Sequence, residues 1–246
     1  MLKKVEGFIL NETSYSESSK ILNVFTKEYG LIGIMAKGAK RIKSPFRSVV
    51  MRFTYGSFNI YYKADKLSTL VAIDVINPFV NIKKDLTLIS YLTYISDLTN
   101  QVIRDNKNDE IYDLFINSLL KLEEGFDPLV ITNIIEAKYL SYLGVELNLH
   151  NCALCSEEED IVTLDSTNGG LICKKCITNQ KIVDPKVYRL LQLFIELDIR
   201  KIEKLNLGDD LKTEINLFLS NYYEKYTGIY LKSKTFLDNI INLDVE

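Results

Sequence analysis

The sequence predicts an α+β protein in two parts, with strands in the first eighty residues and amphipathic helices in the rest. Apolar residues recur with a period of two before Asn77 and with a period near 3.6 after it. The length of 246 residues and the apolar content of 47% allow more than one hydrophobic core. Pro78 cannot donate a ladder hydrogen bond and disfavours helix at Asn77, so we predict two domains, 1–80 and 81–246.

The first domain contains five short runs rich in β-branched and aromatic residues. These runs span residues 5–10, 21–25, 31–35, 58–61 and 70–76. Turn signals separate them, at residues 11–14, 29–30 and 55–56. Five strands in about eighty residues fit a small closed barrel, which removes exposed sheet edges. We therefore predict an OB-fold β-barrel over residues 1–80.

The second domain contains five stretches in which apolar residues step by three and four. These stretches span residues 86–102, 111–122, 131–142, 187–194 and 211–226. Asp127-Pro128 and Asp184-Pro185 each place a capping carboxylate before a proline, whose missing N–H costs nothing in a first helical turn. Both pairs predict helix starts, and we expect an all-helical domain that shares a core.

Charge is distributed unevenly along the chain, although the net charge is only -3 and the isoelectric point is near 5.5. Residues 1–80 carry twelve Lys and Arg against six Asp and Glu, a balance of +6, and the remainder carries 18 against 27, or -9. No acidic residue occurs from 29 to 64. The basic residues of that stretch are Lys37, Lys40, Arg41, Lys43, Arg47, Arg52 and Lys63. This pattern favours a polyanion-binding loop on the barrel.

The absence of acidic residues from this stretch, opposite a remainder of charge -9, favours DNA as the polyanion, bound through its phosphates. Lysine and arginine neutralise phosphate charge and release counterions, and arginine can also bind phosphate with two parallel hydrogen bonds. The predicted DNA-binding residues are Lys37, Lys40, Arg41, Lys43, Arg47 and Arg52. The competing interpretation is a solvated basic face that only keeps the protein soluble.

Aromatic residues close to the basic stretch are candidates for stacking on bases. They are Phe46, Phe53, Tyr55, Tyr61 and Tyr62. Half of the residues in a barrel strand face inward, so for each of them a place in the core or on a plain surface is the stronger interpretation.

The cysteines predict a metal-binding knuckle at residues 150–178. All four lie within 25 residues, as the pairs Cys152 and Cys155, then Cys173 and Cys176. Two tight turns of this spacing can direct four thiolates at one zinc ion. Because four thiolates fill the coordination shell, we expect structural zinc that holds an irregular loop. Disulfides are disfavoured in a chain without an export signal, and His150 could replace a ligand but is not needed.

Enzymatic function is not predicted. The Gly38-Ala39-Lys40 segment lacks the spacing of a phosphate-binding Walker A loop, and no nucleophile motif is present. A zinc-dependent nucleic-acid deaminase would need a glutamate two positions after a ligand and a metal position open to water. His150-Asn151-Cys152 offers no glutamate, and the fourth thiolate closes the shell. A zinc-knuckle scaffold that binds only protein remains an alternative. No membrane span or signal peptide is evident, so we expect a cytoplasmic protein.

Three segments together resemble the bacterial RecO family of recombination mediators. They are Val5-Glu6-Gly7 in the first strand, residues 37–44 with Lys-Gly-Ala-Lys-Arg followed by Lys43-Ser44, and Gly169-Gly170-Leu171-Ile172-Cys173 in the knuckle. The resemblance covers nearly the whole chain. One departure is Ser156, at a position where the resemblance leads us to expect glycine.

The resemblance implies an N-terminal OB barrel and a helical domain that carries the zinc knuckle. It also implies a role in DNA repair and recombination, in association with the nucleoid. A member of this family would bind single- and double-stranded DNA, anneal complementary strands and, together with RecR, help to load RecA. Its helical domain would contact the acidic tail of the single-stranded-DNA-binding protein.

Overall fold

A computed structural model describes residues 1–104 and 108–243 of the chain. The chain forms two compact units, Met1–Glu123 and Glu124–Glu246. The first unit holds a β-barrel and two helices, and the second holds helices and a small sheet, so the predicted α+β class is confirmed. The domain boundary after residue 80 stays a prediction. Residues 105–107 and 244–246 of the predicted helical domain lie outside the described residues.

The barrel of the first unit is a closed sheet of five strands, which confirms the predicted OB-type barrel. The strands are β1 (Leu2–Ser14), β2 (Lys20–Thr26), β3 (Gly30–Ala36), β4 (Tyr55–Tyr61) and β5 (Ser68–Asn77). Their order around the barrel is β1-β2-β3-β5-β4, and β3 and β5 run parallel. The β3–β5 pairing is short, from Ile34 opposite Ser68 to Met35 opposite Thr69. As predicted, the last strand ends at Asn77, before the proline.

Two turn predictions in the barrel are wrong. Residues 11–14 continue β1 and pair with residues 20–23 of β2, because a bulge between Ile9 and Asn11 lets this long strand bend from β4 to β2. Gly56 lies inside β4, where a Cβ atom would stand 2.8 Å from the carbonyl oxygen of Asp74. The glycine therefore marks a close approach of two backbones rather than a turn.

Alternating side chains of the five strands fill the barrel. Buried residues of this core are Val5, Ile9, Leu22, Val24, Ile34, Phe58, Ile60 and Leu70. Two helices complete the unit, α1 (Leu86–Val102) and α2 (Asp109–Glu123). Asp85 caps α1 by accepting a hydrogen bond from the N–H of Leu88. The ring of Phe8 packs edge-on against Phe115 of α2, with 5.0 Å between their centroids, so the barrel and α2 share apolar contacts.

The second unit is built around α3 (Pro128–Tyr142), which packs against α4 (Pro185–Glu196) and α5 (Asp209–Tyr226). Both predicted helix starts are confirmed. Asp127 accepts hydrogen bonds from the N–H groups of Leu129 and Val130, and Asp184 accepts one from Lys186. None of the helices within residues 1–104 and 108–243 combines the length and the apolar character that crossing a membrane requires.

Two features of the second unit are absent from the predictions. One is the helix α6 (Lys232–Leu243), and the other is a sheet of β6 (Asn148–Cys152), β7 (Ile161–Asp165) and β8 (Gly170–Cys173). Strand β8 lies in the middle of this sheet, parallel to β6 and antiparallel to β7. These strands are four or five residues long. A periodic pattern cannot be detected over so few residues.

Replacing Phe8 with alanine should destabilise the first unit strongly. Phe8 is fully buried and contacts the rings of Phe53, Phe79 and Phe115. Removal of a buried phenyl ring costs about 3–5 kcal/mol. Urea unfolding of the full chain should show this loss, whereas Leu86→Ala, at a side chain 60% exposed, should change stability by no more than about 0.5 kcal/mol. Equal urea midpoints for the two variants would contradict the packing described for the Phe8 ring.

Replacing Gly170 with alanine should destabilise the small sheet. A Cβ atom at this position would lie 2.2 Å from the carbonyl oxygen of Asn148, and backbone atoms of a paired strand cannot move aside cheaply. Overpacking of this kind costs about 1–3 kcal/mol. A thermal melt should show the loss. The matched control is Gly208→Ala, where nothing lies within 4 Å of the added carbon, and a melt as low as that of Gly170→Ala would contradict the explanation.

Candidate nucleic-acid interface and metal centre

The basic loop, defined as residues 37–54, joins β3 to β4 and is anchored to the barrel at both ends. Near its start, Ala39 is buried in the barrel core, and the N–H of Lys40 donates to the carbonyl oxygen of Ser18 at 2.8 Å. Near its end, Val50 is buried in the same core, and the N–H of Phe53 donates to the carbonyl oxygen of Ile9 at 2.9 Å. The loop is therefore part of the barrel's packed structure.

Between its anchors the basic loop folds as consecutive turns. The N–H of Arg41 donates to the carbonyl oxygen of Gly38 at 3.1 Å, and the N–H of Ser44 donates to that of Arg41 at 3.0 Å. Gly38 has φ of +69°, a value that favours glycine. Four apolar side chains of the loop, Ala39, Phe46, Val49 and Val50, pack against the barrel core, whereas Ile42 is 84% exposed. Five cationic residues are also exposed to solvent. The exposed cationic residues are Lys37, Lys40, Arg41, Lys43 and Arg47.

Arg52, the sixth predicted DNA-binding residue, lies in a different environment. Its Nη2 donates to Oδ1 of Asp97 on α1 at 2.7 Å, and its Nε donates to the carbonyl oxygen of Leu10 at 2.9 Å. The guanidinium carbon stands 4.5 Å from the centre of the Phe53 ring. The stretch from 29 to 64 lacks acidic residues, yet Arg52 has a carboxylate partner 45 positions along the chain. No local sequence signal indicates this pair.

Most of the candidate stacking aromatics pack against other residues of the first unit. Phe46 packs against the barrel core, Phe53 lies near Phe8, and Tyr55 is buried with its hydroxyl donating to Glu6 at 2.7 Å. Burial, reinforced by the Glu6 carboxylate, raises the pKa of Tyr55. The remaining two are Tyr62, which stacks on Tyr29 with 4.3 Å between ring centroids, and Tyr61, which is 53% exposed.

The four cysteines come together in the second unit. Cys152 ends β6 and Cys173 ends β8, while Cys155 and Cys176 lie in the turns that follow these strands. Their sulfur atoms all lie within 4.8 Å of one another, and the Sγ atoms of Cys155 and Cys173 are 3.6 Å apart. Zn–S bonds of about 2.3 Å in a tetrahedron separate sulfurs by about 3.8 Å. The donor set therefore fits a zinc ion.

Backbone groups of the turns favour the thiolate of Cys152, whereas hydrogen bonding to Cys155 and burial raise the pKa of Cys176 to about 12. The N–H of Cys173 donates to Sγ of Cys152 at 3.4 Å. Burial opposes ionisation of Cys152, but hydrogen bonds from the backbone of Cys173, Leu154 and Cys155 outweigh it and lower the pKa of the thiol to about 6. Stabilised thiolate is the form that binds metal.

Two residues beside the cysteines bear on the predictions. Ser156, where the resemblance leads us to expect glycine, has φ of +61°, so this position does require the left-handed conformation that glycine adopts freely. The serine tolerates it at a cost of about 1–2 kcal/mol. His150 is exposed, and within the described part of the chain the close group consists of the four cysteines without it.

The knuckle also carries four consecutive acidic residues, which the prediction based on cysteine spacing did not include. Residues 157–160 are Glu-Glu-Glu-Asp, and Glu157 pairs with Nζ of Lys175 at 2.8 Å. Glu158, Glu159 and Asp160 are exposed, as is Lys174, so the surface beside the cysteines carries both signs of charge with an acidic excess that disfavours a polyanion.

Comparison with known proteins gives matches along nearly the entire chain. Residues 1–79 match the family model described as Recombination protein O N terminal, and residues 83–235 match Recombination protein O C terminal. The chain is 35% identical over 248 aligned positions to the DNA repair protein RecO of Halalkalibacterium halodurans, covering 98% of this chain and 96% of the relative.

Two further relatives carry the same name. The RecO protein of Bacillus subtilis is 35% identical over 244 positions, which cover 98% of this chain and 95% of the relative. The RecO protein of Listeria monocytogenes is 32% identical over 240 positions, which cover 96% and 94%. Because both family models match and the identity extends over nearly the full length, the chain belongs to the RecO family of DNA repair proteins.

Proposed function

We propose that this protein is a non-enzymatic mediator of recombinational repair that works at the nucleoid. It binds single- and double-stranded DNA, anneals complementary strands and, together with RecR, helps RecA to replace the single-stranded-DNA-binding protein. Membership of the RecO family supports the repair role. The observation that carries the DNA-binding proposal is the cluster of five exposed cationic residues on one loop that the barrel core anchors.

The proposed contacts are made to DNA phosphates by Lys37, Lys40, Arg41, Lys43 and Arg47. These side chains belong to one short loop, and the loop's own apolar residues hold its backbone in place. Each phosphate contact releases condensed counterions, so the affinity should fall steeply with salt. Contacts of this kind carry no base specificity.

Annealing is compatible with such a surface because the base edges stay free to pair. A protein that stacked many bases on its aromatic side chains would compete with pairing. Around the basic loop, Phe46, Phe53 and Tyr55 are packed within the first unit and are not displayed for stacking. The two strands would then meet with their backbone charge neutralised and without a catalytic acid or base.

For the knuckle we propose structural zinc held by Cys152, Cys155, Cys173 and Cys176. When bound, the ion would fix the two turns relative to β6 and β8 and leave no coordination position for water. The neighbouring acidic residues 157–160 support a scaffolding role over a DNA contact at this place. We further propose that the helical domain contacts the acidic tail of the single-stranded-DNA-binding protein, as the family resemblance implies.

Replacing Lys37, Lys40 and Arg41 together with alanine should weaken binding to a labelled oligo(dT) strand. Loss of three phosphate contacts should lower the slope of log K against log salt by about 0.7 for each contact, or about 2 in total. Fluorescence anisotropy between low and moderate salt measures both quantities. The control variant replaces the exposed Lys186, Lys201 and Lys204 of the second unit and removes the same charge. Equal slopes in the two variants would refute the assignment.

Purified protein should contain one zinc ion per chain by elemental analysis. Cys176→Ser should lose the metal, and His150→Ala should keep it, because four thiolates complete the shell. A strong chelator should lower the melting temperature, since metal binding contributes to the folding free energy of such sites. A chelated sample that melts no earlier, or a His150→Ala variant without zinc, would contradict the proposed ligand set.

A further inference from the structure

We infer that Arg52 is a positioning residue, whose pair with Asp97 holds the basic loop in the geometry that presents its exposed cations to DNA. The inference rests on the proposed function of that loop. It reassigns one of the six basic residues from phosphate binding to support of the other five.

The side chain of Arg52 connects three parts of the first unit. Its Nη2 reaches Asp97 on α1 at 2.7 Å, its Nε reaches the carbonyl oxygen of Leu10 on β1 at 2.9 Å, and its guanidinium lies over the Phe53 ring. A guanidinium held by a carboxylate, a carbonyl and an aromatic face has a defined orientation. The other five loop cations are exposed, although Nζ of Lys40 donates to the carbonyl oxygen of Ser16 at 2.9 Å. Arg52 differs from Lys40 by its carboxylate partner and by its contact with an aromatic ring.

The backbone around Arg52 is held by several elements at once. The carbonyl oxygen of Val50 accepts a hydrogen bond from Nζ of Lys20 at 3.3 Å, and that of Phe53 accepts one from Nζ of Lys83 at 3.1 Å. Phe53 has φ of +68°, a conformation that a bulky residue keeps only when its surroundings impose it. The guanidinium over its ring is one of those surroundings. Residues 50–53 thus form a clamp at the end of the basic loop.

Movement of Arg52 to a phosphate would expose the Asp97 carboxylate beside the DNA. Side chains of the pair are 35% and 38% exposed, so each loses part of its hydration while they are together. Breaking the pair would leave a carboxylate facing a polyanion, which is unfavourable. The two roles for Arg52 therefore predict opposite effects when the charge of Asp97 is removed.

The decisive variant is Asp97→Asn. If Arg52 positions the loop, affinity for labelled oligo(dT) should fall about three- to fivefold, the upper range for a partly exposed ion pair. If Arg52 binds phosphate, removal of a competing negative charge should instead strengthen binding. The matched control is Asp74→Asn, which removes an exposed carboxylate from β5 and should leave affinity equal or slightly higher. Tighter or unchanged binding by Asp97→Asn would overturn the inference.

A double-mutant cycle separates positioning from general damage to the fold. Arg52→Gln should weaken binding, and Arg52→Gln with Asp97→Asn should be no weaker than Arg52→Gln alone, because both changes break one pair. Additive losses in the double variant, at an unchanged melting temperature, would refute the pair as the cause.

The same assay distinguishes this inference from the proposed function. If the variant lacking Lys37, Lys40 and Arg41 binds normally, the proposed DNA-binding loop is wrong, whatever Asp97→Asn does. If that variant binds weakly and Asp97→Asn does not, only the role of Arg52 is wrong.

Discussion

Insertion of Ala39 and Val50 into the barrel core is the constraint on which the proposed DNA-binding surface depends. A connection of eighteen residues between two strands would otherwise be free to sample many conformations, at a large entropic cost for any ligand that had to order it. With an apolar side chain buried near each end, the intervening turns are held against the barrel. The cations between these anchors face solvent, since the inward positions are taken by Ala39, Phe46, Val49 and Val50. Hydrophobic anchoring and charge display are two results of one packing arrangement.

In the second unit, the irregular segments to be held in place are the turns that carry the four cysteines. These two turns carry the four cysteine sulfurs within 4.8 Å of one another, and backbone N–H groups point at Sγ of Cys152. The strands β6 and β8 approach so closely at Gly170 that a side chain cannot be accommodated there. The four-cysteine donor set suits a structural metal, whose binding adds to the folding free energy of the region. The acidic residues 157–160 beside the cysteines repel phosphates, whereas the basic loop on the barrel attracts them.

Local patterns were sufficient for much of the fold. The strand runs predicted the barrel, and the caps Asp127 and Asp184 marked helix starts to the residue. Patterns failed where a feature depended on distant partners or on few residues. Gly56 looked like a turn because glycine has two uses, and only the nearby Asp74 backbone distinguishes them. The small sheet was not predicted because its strands, at four or five residues, are too short to show a period. These strands pair where the fold brings the four cysteines together.

The sequence by itself determined the class of the protein, the barrel, the cysteine set and the location of excess positive charge, because each of these follows from local periodicity, spacing or composition. The tertiary structure alone decided which charges are displayed. In the sequence, Arg52 and Arg47 both lie in a stretch without acidic residues, and nothing distinguishes them. In the fold, Asp97 of α1 pairs with Arg52. The physical reason is that electrostatic interactions act through space, so the partner of a charge is set by the fold and not by distance along the chain.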